Sequence, residues 1–155
     1  MPRRHVFISH QHRDQMKAKG FNLMRHNKNL NLEFVGRHLL DPVNSTDPGY
    51  ISTKIREQIT GSSATIVLIG SHTAASEWVD KEINWSREKG NGLLGIRIDP
   101  DAEIPPGLTD AGAEILNWYK PEDVREFPHA IERAITATRR GQHMPLNSIS
   151  TCARS

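Results

Sequence analysis

Short apolar runs that alternate with helical patterns are the feature that most constrains the fold of this chain. The run from Ala64 to Ile69 is apolar on both faces and rich in β-branched residues. A strand covered by helices on both sides of a sheet has this composition, so this run is predicted to be the central strand. Four further runs are predicted to be strands: Val6 to Ile8, Leu32 to Val35, Leu93 to Ile98, and the weaker Glu114 to Leu116.

Helical patterns fill the intervals between these runs. The predicted helices cover Gln15 to Arg25, Gly49 to Ile59, Ala74 to Glu88, and a last amphipathic segment that ends near Ile135. Five successive strand and helix units predict an α/β fold, a three-layer sandwich whose five-stranded parallel sheet has helices on both faces.

Several residues mark the expected helix ends. Asp47 and Pro48 suit the N-cap and the first residue of the helix before the central strand, while Gly61 and Gly90 suit helix ends. In the last helix Pro121 and Pro128 compete to mark the start of the regular part, and Pro128 is favoured.

Length and composition bound the organisation of the chain. With 155 residues, it is expected to form one domain over residues 1–140, followed by a polar, flexible C-terminal tail over residues 141–155. The 20 basic and 18 acidic residues are scattered, so no nucleic acid partner is expected. The first apolar run is too short for a signal peptide or a membrane span, and Cys152 is a lone cysteine. A cytoplasmic protein without a membrane partner, disulfide framework or metal site is the expectation.

Familiar nucleotide and hydrolase motifs are missing. The chain has no Gly-x-Gly-x-x-Gly and no phosphate loop that ends in Gly-Lys-Ser/Thr. Ser71 and His72 follow the central strand, but no Gly-x-Ser-x-Gly surrounds them. Ser9-His10 and Gly70-Ser71 occupy the places where a response-regulator receiver needs acids. These absences disfavour all three classes of protein.

Glu82 is the candidate functional residue. It lies at the edge of a helical stripe that is expected to face the core, and the stripe consists of Ala75, Trp78, Val79, Ile83 and Ser86. Burial of a carboxylate costs several kcal/mol, roughly, unless it has partners or lines a pocket. A half-exposed Glu82 paired with a neighbouring base is the alternative.

Ligands of open parallel sheets bind beyond the carboxyl ends of the strands. Three polar segments are expected to converge there: Ser9 to Asp14, Gly36 to Gly49, and Gly70 to Thr73. Glu82, about two turns into its helix, is expected to face the same edge.

Over roughly residues 4 to 137 the chain resembles the Toll/interleukin-1 receptor (TIR) superfamily. The segment His5 to Ser9, followed by Asp14, resembles the opening box of that family, and Ser76 to Glu82 resembles its Ser-x-Trp-x-x-x-Glu helix. More narrowly, Asp41 to Ile59, Ser62 to Gly70 and Thr73 to Trp85 resemble the TIR-like signal-producing subunit of Thoeris antiphage defence. The resemblance implies a flavodoxin-like/TIR-like fold.

The resemblance also implies an activity. In members that cleave NAD+, the matching glutamate is catalytic, so Glu82 is expected to support nicotinamide release and the formation of ADP-ribose or a cyclic product. NAD+ is then the substrate, and no separate cofactor is expected. Candidate substrate contacts are Phe7, Ser9, His10, Arg37, Asn44, Ser45, Asp47 and Trp78. Two alternatives stay open for side chains in this set: Phe7 as a core residue and Trp78 as packing support.

Partners follow from the same resemblance. A separate effector protein is expected to read the nucleotide signal, and self-assembly is possible within this class. Two other functions remain open: a non-catalytic interaction module, and a nucleoside N-glycosidase or deoxyribosyltransferase that also uses a glutamate.

Overall fold

Five parallel strands form the sheet of the computed structural model, which describes residues 4–10, 32–36 and 48–139. The strand order is β2-β1-β3-β4-β5. The strands are β1 (Arg4–Ser9), β2 (Leu32–Gly36), β3 (Ala64–Ile69), β4 (Gly92–Arg97) and β5 (Glu114–Asn117). The helices in the described residues are α1 (Pro48–Thr60), α2 (Glu77–Lys89), α3 (Pro106–Asp110) and α4 (Pro121–Arg139).

The predicted fold class is confirmed. β3 occupies the centre of the sheet and all six of its residues are buried, as its composition predicts. The weak run near Glu114 is also a strand, paired in parallel with β4. The predicted helix Gln15 to Arg25, the Asp47 N-cap and the C-terminal tail lie outside the described residues.

Successive side chains of each strand point to opposite faces of the sheet, which divides the core in two. On one face, Ile66 and Leu94 pack with Phe127 and Ile131 of α4. On the other face, α1, α2 and α3 cover the sheet, and α2 contributes Val79 and Ile83 to a cluster with Val67.

β4 and α4 approach each other closely at Gly92. A Cβ atom on Gly92 would lie 2.6 Å from the carbonyl oxygen of Ala134, a distance that side chains do not tolerate. Glycine is therefore required for α4 to lie against the start of β4.

α2 begins three residues later than the sequence predicts. Ser76 is its N-cap, and the Ser76 hydroxyl accepts a hydrogen bond from the Val79 amide at 3.3 Å. The preceding residues form a turn in which the Thr73 hydroxyl accepts from the Gly70 amide. Ala75 is consequently exposed, so its assignment to the buried stripe is wrong. The expected end is confirmed, because Gly90 adopts a left-handed φ of 77°.

α4 begins at Pro121, so the preference for Pro128 is wrong. Proline is harmless at a first helical position, because the amide there has no partner within the helix. Pro128 lies inside the helix instead. The neighbouring Phe127 is fully buried and makes an edge-to-face contact with Trp118, with ring centroids 5.5 Å apart. Packing of this kind offsets the backbone hydrogen bond that Pro128 removes.

Candidate active site

Glu82 of α2 is fully buried, with a relative exposure of 0%. The hydroxyl of Ser9, the last residue of β1, donates a hydrogen bond to Glu82 Oε1 at 2.5 Å. Ser9 is itself fully buried. The carboxylate is therefore inside the protein, and the alternative of a half-exposed surface glutamate is wrong.

The helix geometry explains how a carboxylate reaches this place. At about 100° per residue, Glu82 and Ser86 lie between two apolar stripes of α2. One stripe holds Trp78 and Trp85, which pack against a cluster around Phe7, and the other holds Val79 and Ile83. Glu82 and Ser86 thus form a polar seam where α2 crosses the sheet.

Hydroxyl groups continue this polar seam into the sheet. Ser86 Oγ donates to the Glu82 carbonyl at 2.8 Å, and Thr65 Oγ1 lies 2.6 Å from Ser86 Oγ. Because a hydroxyl has only one proton, Thr65 must be the donor to Ser86. The main chain at Glu82 is therefore tied to β3, while its carboxylate is tied to β1.

The Glu82–Ser9 contact lies at the topological switch point of the sheet. β1 pairs with β2 on one side and with β3 on the other. The chain therefore leaves β1 toward one edge of the sheet to form β2, and crosses to the other side of β1 to form β3. Open α/β sheets bind ligands in the crevice that this reversal creates at the carboxyl ends of the strands. The buried carboxylate of Glu82 therefore lies at the part of the sheet where ligands of this fold class bind.

The structure brings together only part of the residue set predicted from the sequence. Ser9 contacts Glu82, and the half-buried His10 follows it at the carboxyl end of β1. Trp78 is half-buried, with the Lys81 ammonium 4.8 Å from its ring centroid. Phe7 has an exposure of 0% and packs with Ile55 and Ile59. The structure therefore shows Phe7 as a core residue, which was the alternative to a substrate contact.

Four predicted substrate contacts belong to the loop after β2 and lie outside the described residues: Arg37, Asn44, Ser45 and Asp47.

The polar segment after β3 includes Ser71 and His72. Both residues are exposed, and Ser71 Oγ lies 3.3 Å from His72 Nδ1.

Arg97, at the carboxyl end of β4, is a polar residue of this edge that is absent from the predicted set. Its Nε donates to Asn117 Oδ1 at 2.9 Å, and one terminal nitrogen lies 3.4 Å from the carbonyl oxygen of Ala102. A single arginine inside an apolar run gives no sequence signal of function. The available signal is topological: Arg97 ends its strand on the edge where ligands bind.

The described ranges 4–10, 32–36 and 48–139 contain neither a cluster of metal-binding side chains nor a membrane-spanning helix. No group of three or more His, Cys, Asp or Glu side chains there is arranged to hold a metal ion. Within those ranges, too, every helix is too short or too polar to cross a bilayer.

Solved structures with the same fold include TIR domains. The TIR domain of the Toll-related receptor TRR-2 from Hydra magnipapillata superposes with a TM-score of 0.58 at 16% identity, covering 84% of this chain and 97% of that one. The TIR domains of the activated Roq1 resistosome give 0.50 at 17% identity, covering 86% and 84%. A 2-deoxyribosyltransferase from Bacillus psychrosaccharolyticus gives 0.58 at 12% identity, covering 77% and 89%.

The strand order, together with these neighbours, shows the α/β fold that TIR domains have. The family model described as "Thoeris protein ThsB, TIR-like domain" matches residues 7–103, and the chain belongs to that family. No curated protein matches the chain significantly.

Proposed function

We propose that this protein cleaves the N-glycosidic bond between nicotinamide and ribose in NAD+. The product is ADP-ribose or a cyclic ADP-ribose-type signal that serves bacterial antiphage defence. The observation that carries the proposal is the buried carboxylate of Glu82, held by the Ser9 hydroxyl at the switch point of the sheet. Membership of the Thoeris family supports the biological setting.

One carboxylate suffices for this chemistry. Nicotinamide in NAD+ is already a cationic leaving group, so no acid is needed to protonate it. Positive charge grows on the ribose as the bond lengthens, and the Glu82 carboxylate stabilises that charge. Because the side chain is fully buried, water screens the attraction less than it does at the surface.

The fate of the ribosyl cation sets the product. Capture by water gives ADP-ribose, whereas attack by a group of the same substrate molecule gives a cyclic product. Holding that group near the cation makes the second reaction effectively unimolecular. The shape of the bound substrate therefore decides between hydrolysis and cyclisation. A separate effector protein would respond to the released nucleotide in the cytoplasm.

Two other functions compete with this proposal. A non-catalytic assembly module would use the TIR-like fold only as an interaction surface. A nucleoside deoxyribosyltransferase would use Glu82 on a nucleoside, and an enzyme of that name has the same fold. Burial of Glu82 against Ser9 favours an enzyme over an assembly module, because a surface interaction needs no buried carboxylate.

The test is nicotinamide release from NAD+ by the purified chain, followed by chromatography with mass detection. We expect Glu82→Gln to reduce the rate at least about a hundredfold, since it removes the charge that stabilises the transition state. Glu77→Gln is the matched control, because Glu77 is an exposed acid on the same helix. It should retain the rate of the native chain.

Product masses and substrate range separate the outcomes. A native chain and a Glu77→Gln variant that both release nicotinamide, beside an inert, folded Glu82→Gln, support the proposal. Equal rates in native and Glu82→Gln proteins would contradict it. Cleavage of deoxyribonucleosides but not NAD+ would favour the transferase, and binding to other copies without any cleavage would favour the assembly module.

A further inference from the structure

Arg97 is a half-buried cation whose contacts in the described part of the chain are made with neutral oxygen atoms. Its Nε donates to the amide oxygen of Asn117, and a terminal nitrogen faces the carbonyl oxygen of Ala102. The guanidinium has five N–H donors in a fixed fork, so these contacts orient the group without neutralising its charge.

Two acids in the segments next to Arg97 and Asn117 accept hydrogen bonds from the main chain. Asp123 accepts a hydrogen bond from the main-chain amide of Asn117 at 2.8 Å. Asp99 accepts from the main-chain amide of Asp101 at 3.0 Å. Asn117 has one further contact, because its Oδ1 also accepts from the Tyr119 hydroxyl at 3.1 Å. Two neutral oxygen atoms therefore orient the Arg97 guanidinium, while Asp99 and Asp123 accept from main-chain amides.

The strand register places Arg97 on the same face and at the same end of the sheet as Ser9. Ser9 pairs with Val67 of β3, and Arg97 pairs with Ile69, two residues further along. Two strand spacings across and two residues along put the Ser9 and Arg97 Cα atoms about 12 Å apart. The charge therefore lies away from Glu82, but on the same ligand-binding edge.

We propose that Arg97 is an anion subsite that binds a phosphate group of the dinucleotide whose ribose contacts Glu82. This inference rests on the proposed function. The pyrophosphate of NAD+ is separated from the scissile bond by a ribose and its 5′ carbon, so its cationic partner belongs at a distance from the catalytic carboxylate. An arginine fork matches phosphate geometry and binds two oxygens at once.

The test compares ADP with adenosine, because the two probes differ only in the diphosphate. Isothermal titration of the full chain should show that Arg97→Gln weakens ADP binding at least tenfold while adenosine binding changes less than twofold. Arg125→Gln is the matched control, since Arg125 is an exposed arginine on α4. It should bind ADP as the native chain does.

A measurement on the native protein guards against a variant that fails to fold. The Nε–H resonance of Arg97, assigned with Arg97→Lys, should shift when ADP is added and stay in place when adenosine is added. An unchanged resonance, or equal losses of ADP and adenosine binding in Arg97→Gln, would overturn the proposal. Equal losses would indicate that Arg97 only ties β4 to β5.

Failure of this inference differs from failure of the proposed function. If native protein and Arg97→Gln cleave NAD+ with the same KM, the anion subsite is wrong and the glycosidase stands. If ADP binds through Arg97 but the chain never releases nicotinamide, the subsite stands and the glycosidase is wrong.

Discussion

At the scale of single residues, the candidate site is built on one hydrogen bond, from the Ser9 hydroxyl to the Glu82 carboxylate. Glu82 is foreseeable from the sequence, because it interrupts a stripe of core residues on a helix. Its contact with Ser9 is not, because 73 positions separate the two residues and only the sheet register brings them together. Sequence patterns report local periodicity only. Arg97 is not predicted as a candidate for the same reason, because its contacts depend on which strands pair in the sheet.

Ser9→Ala should distinguish positioning of Glu82 from contact with the substrate. Loss of the hydrogen bond leaves a buried acceptor with one donor fewer, and we expect about 1–3 kcal/mol less free energy of unfolding. If Ser9 orients Glu82, kcat for nicotinamide release falls while KM is unchanged. Urea unfolding, followed by tryptophan fluorescence, and steady-state kinetics measure the two effects.

Ser62→Ala is the control for this change. Ser62 is a buried serine that precedes β3, at the opposite end of the sheet, and its hydroxyl donates to the Gln58 carbonyl. It should lose about 1 kcal/mol of stability and keep its kcat. A Ser9→Ala variant with higher KM and native kcat would instead indicate a substrate contact.

At the scale of elements, helix ends depend on capping and packing that a periodic pattern does not show. α2 starts at Glu77 because Ser76 caps it, although the apolar spacing extends back to Ala75. α4 starts at Pro121 and continues through Pro128, where packing of Phe127 outweighs a local helix breaker. α3 is five residues long, too short to produce a helical period, and was not predicted.

The hydrogen bond between the hydroxyls of Thr65 and Ser86 ties α2 to β3, and both residues are fully buried. We expect their contributions to the free energy of unfolding to be strongly coupled. Each single change, Thr65→Val or Ser86→Ala, removes one partner and should cost about 1–3 kcal/mol of unfolding free energy. The double variant lacks both hydroxyls, so neither is left behind without its partner. The loss of unfolding free energy in the double variant should therefore be smaller than the sum of the two single losses by about 1–2 kcal/mol.

Urea denaturation of the four proteins measures this cycle. Thr53→Val is the surface control, because Thr53 is exposed and its hydroxyl donates to the Gly49 carbonyl. Its effect should stay within about 0.5 kcal/mol. Strictly additive costs for Thr65→Val and Ser86→Ala would show that the two hydroxyls act independently.

At the scale of the whole molecule, the fold class follows directly from the sequence. The order of strands and helices, the buried central run and the parallel sheet are set by burial and chain connectivity, which a βα pattern expresses. Whether a ligand can reach Glu82 depends on how the folded elements cover it, and no sequence pattern expresses that. Glu82 has no exposed surface, so a ligand can contact it only when the groups that cover it move.

Chemical labelling of carboxylates should reveal this enclosure. Carbodiimide coupling to an amine should modify the exposed Glu77 and Glu88 faster than Glu82 by about tenfold or more, because Glu82 reacts only through local opening. Peptide mass spectrometry of the labelled chain measures the rates. In urea, where the chain is unfolded, the three glutamates should react alike.

Rapid labelling of Glu82 in the folded protein would show that the site is open at rest. Slow labelling that accelerates under conditions where nicotinamide release begins would identify opening of the site as the event that starts catalysis.

The Ser9–Glu82 contact also bears on how the protein is made. Among the described strands, the one that carries Ser9 is synthesised first, whereas Glu82 follows β3, which must pair beside it. A partly synthesised chain therefore lacks the assembled Ser9–Glu82 contact, and long-range pairing of parallel strands forms slowly. If the chain is the proposed glycosidase, it cannot cleave NAD+ before α2 has been synthesised and packed against β1.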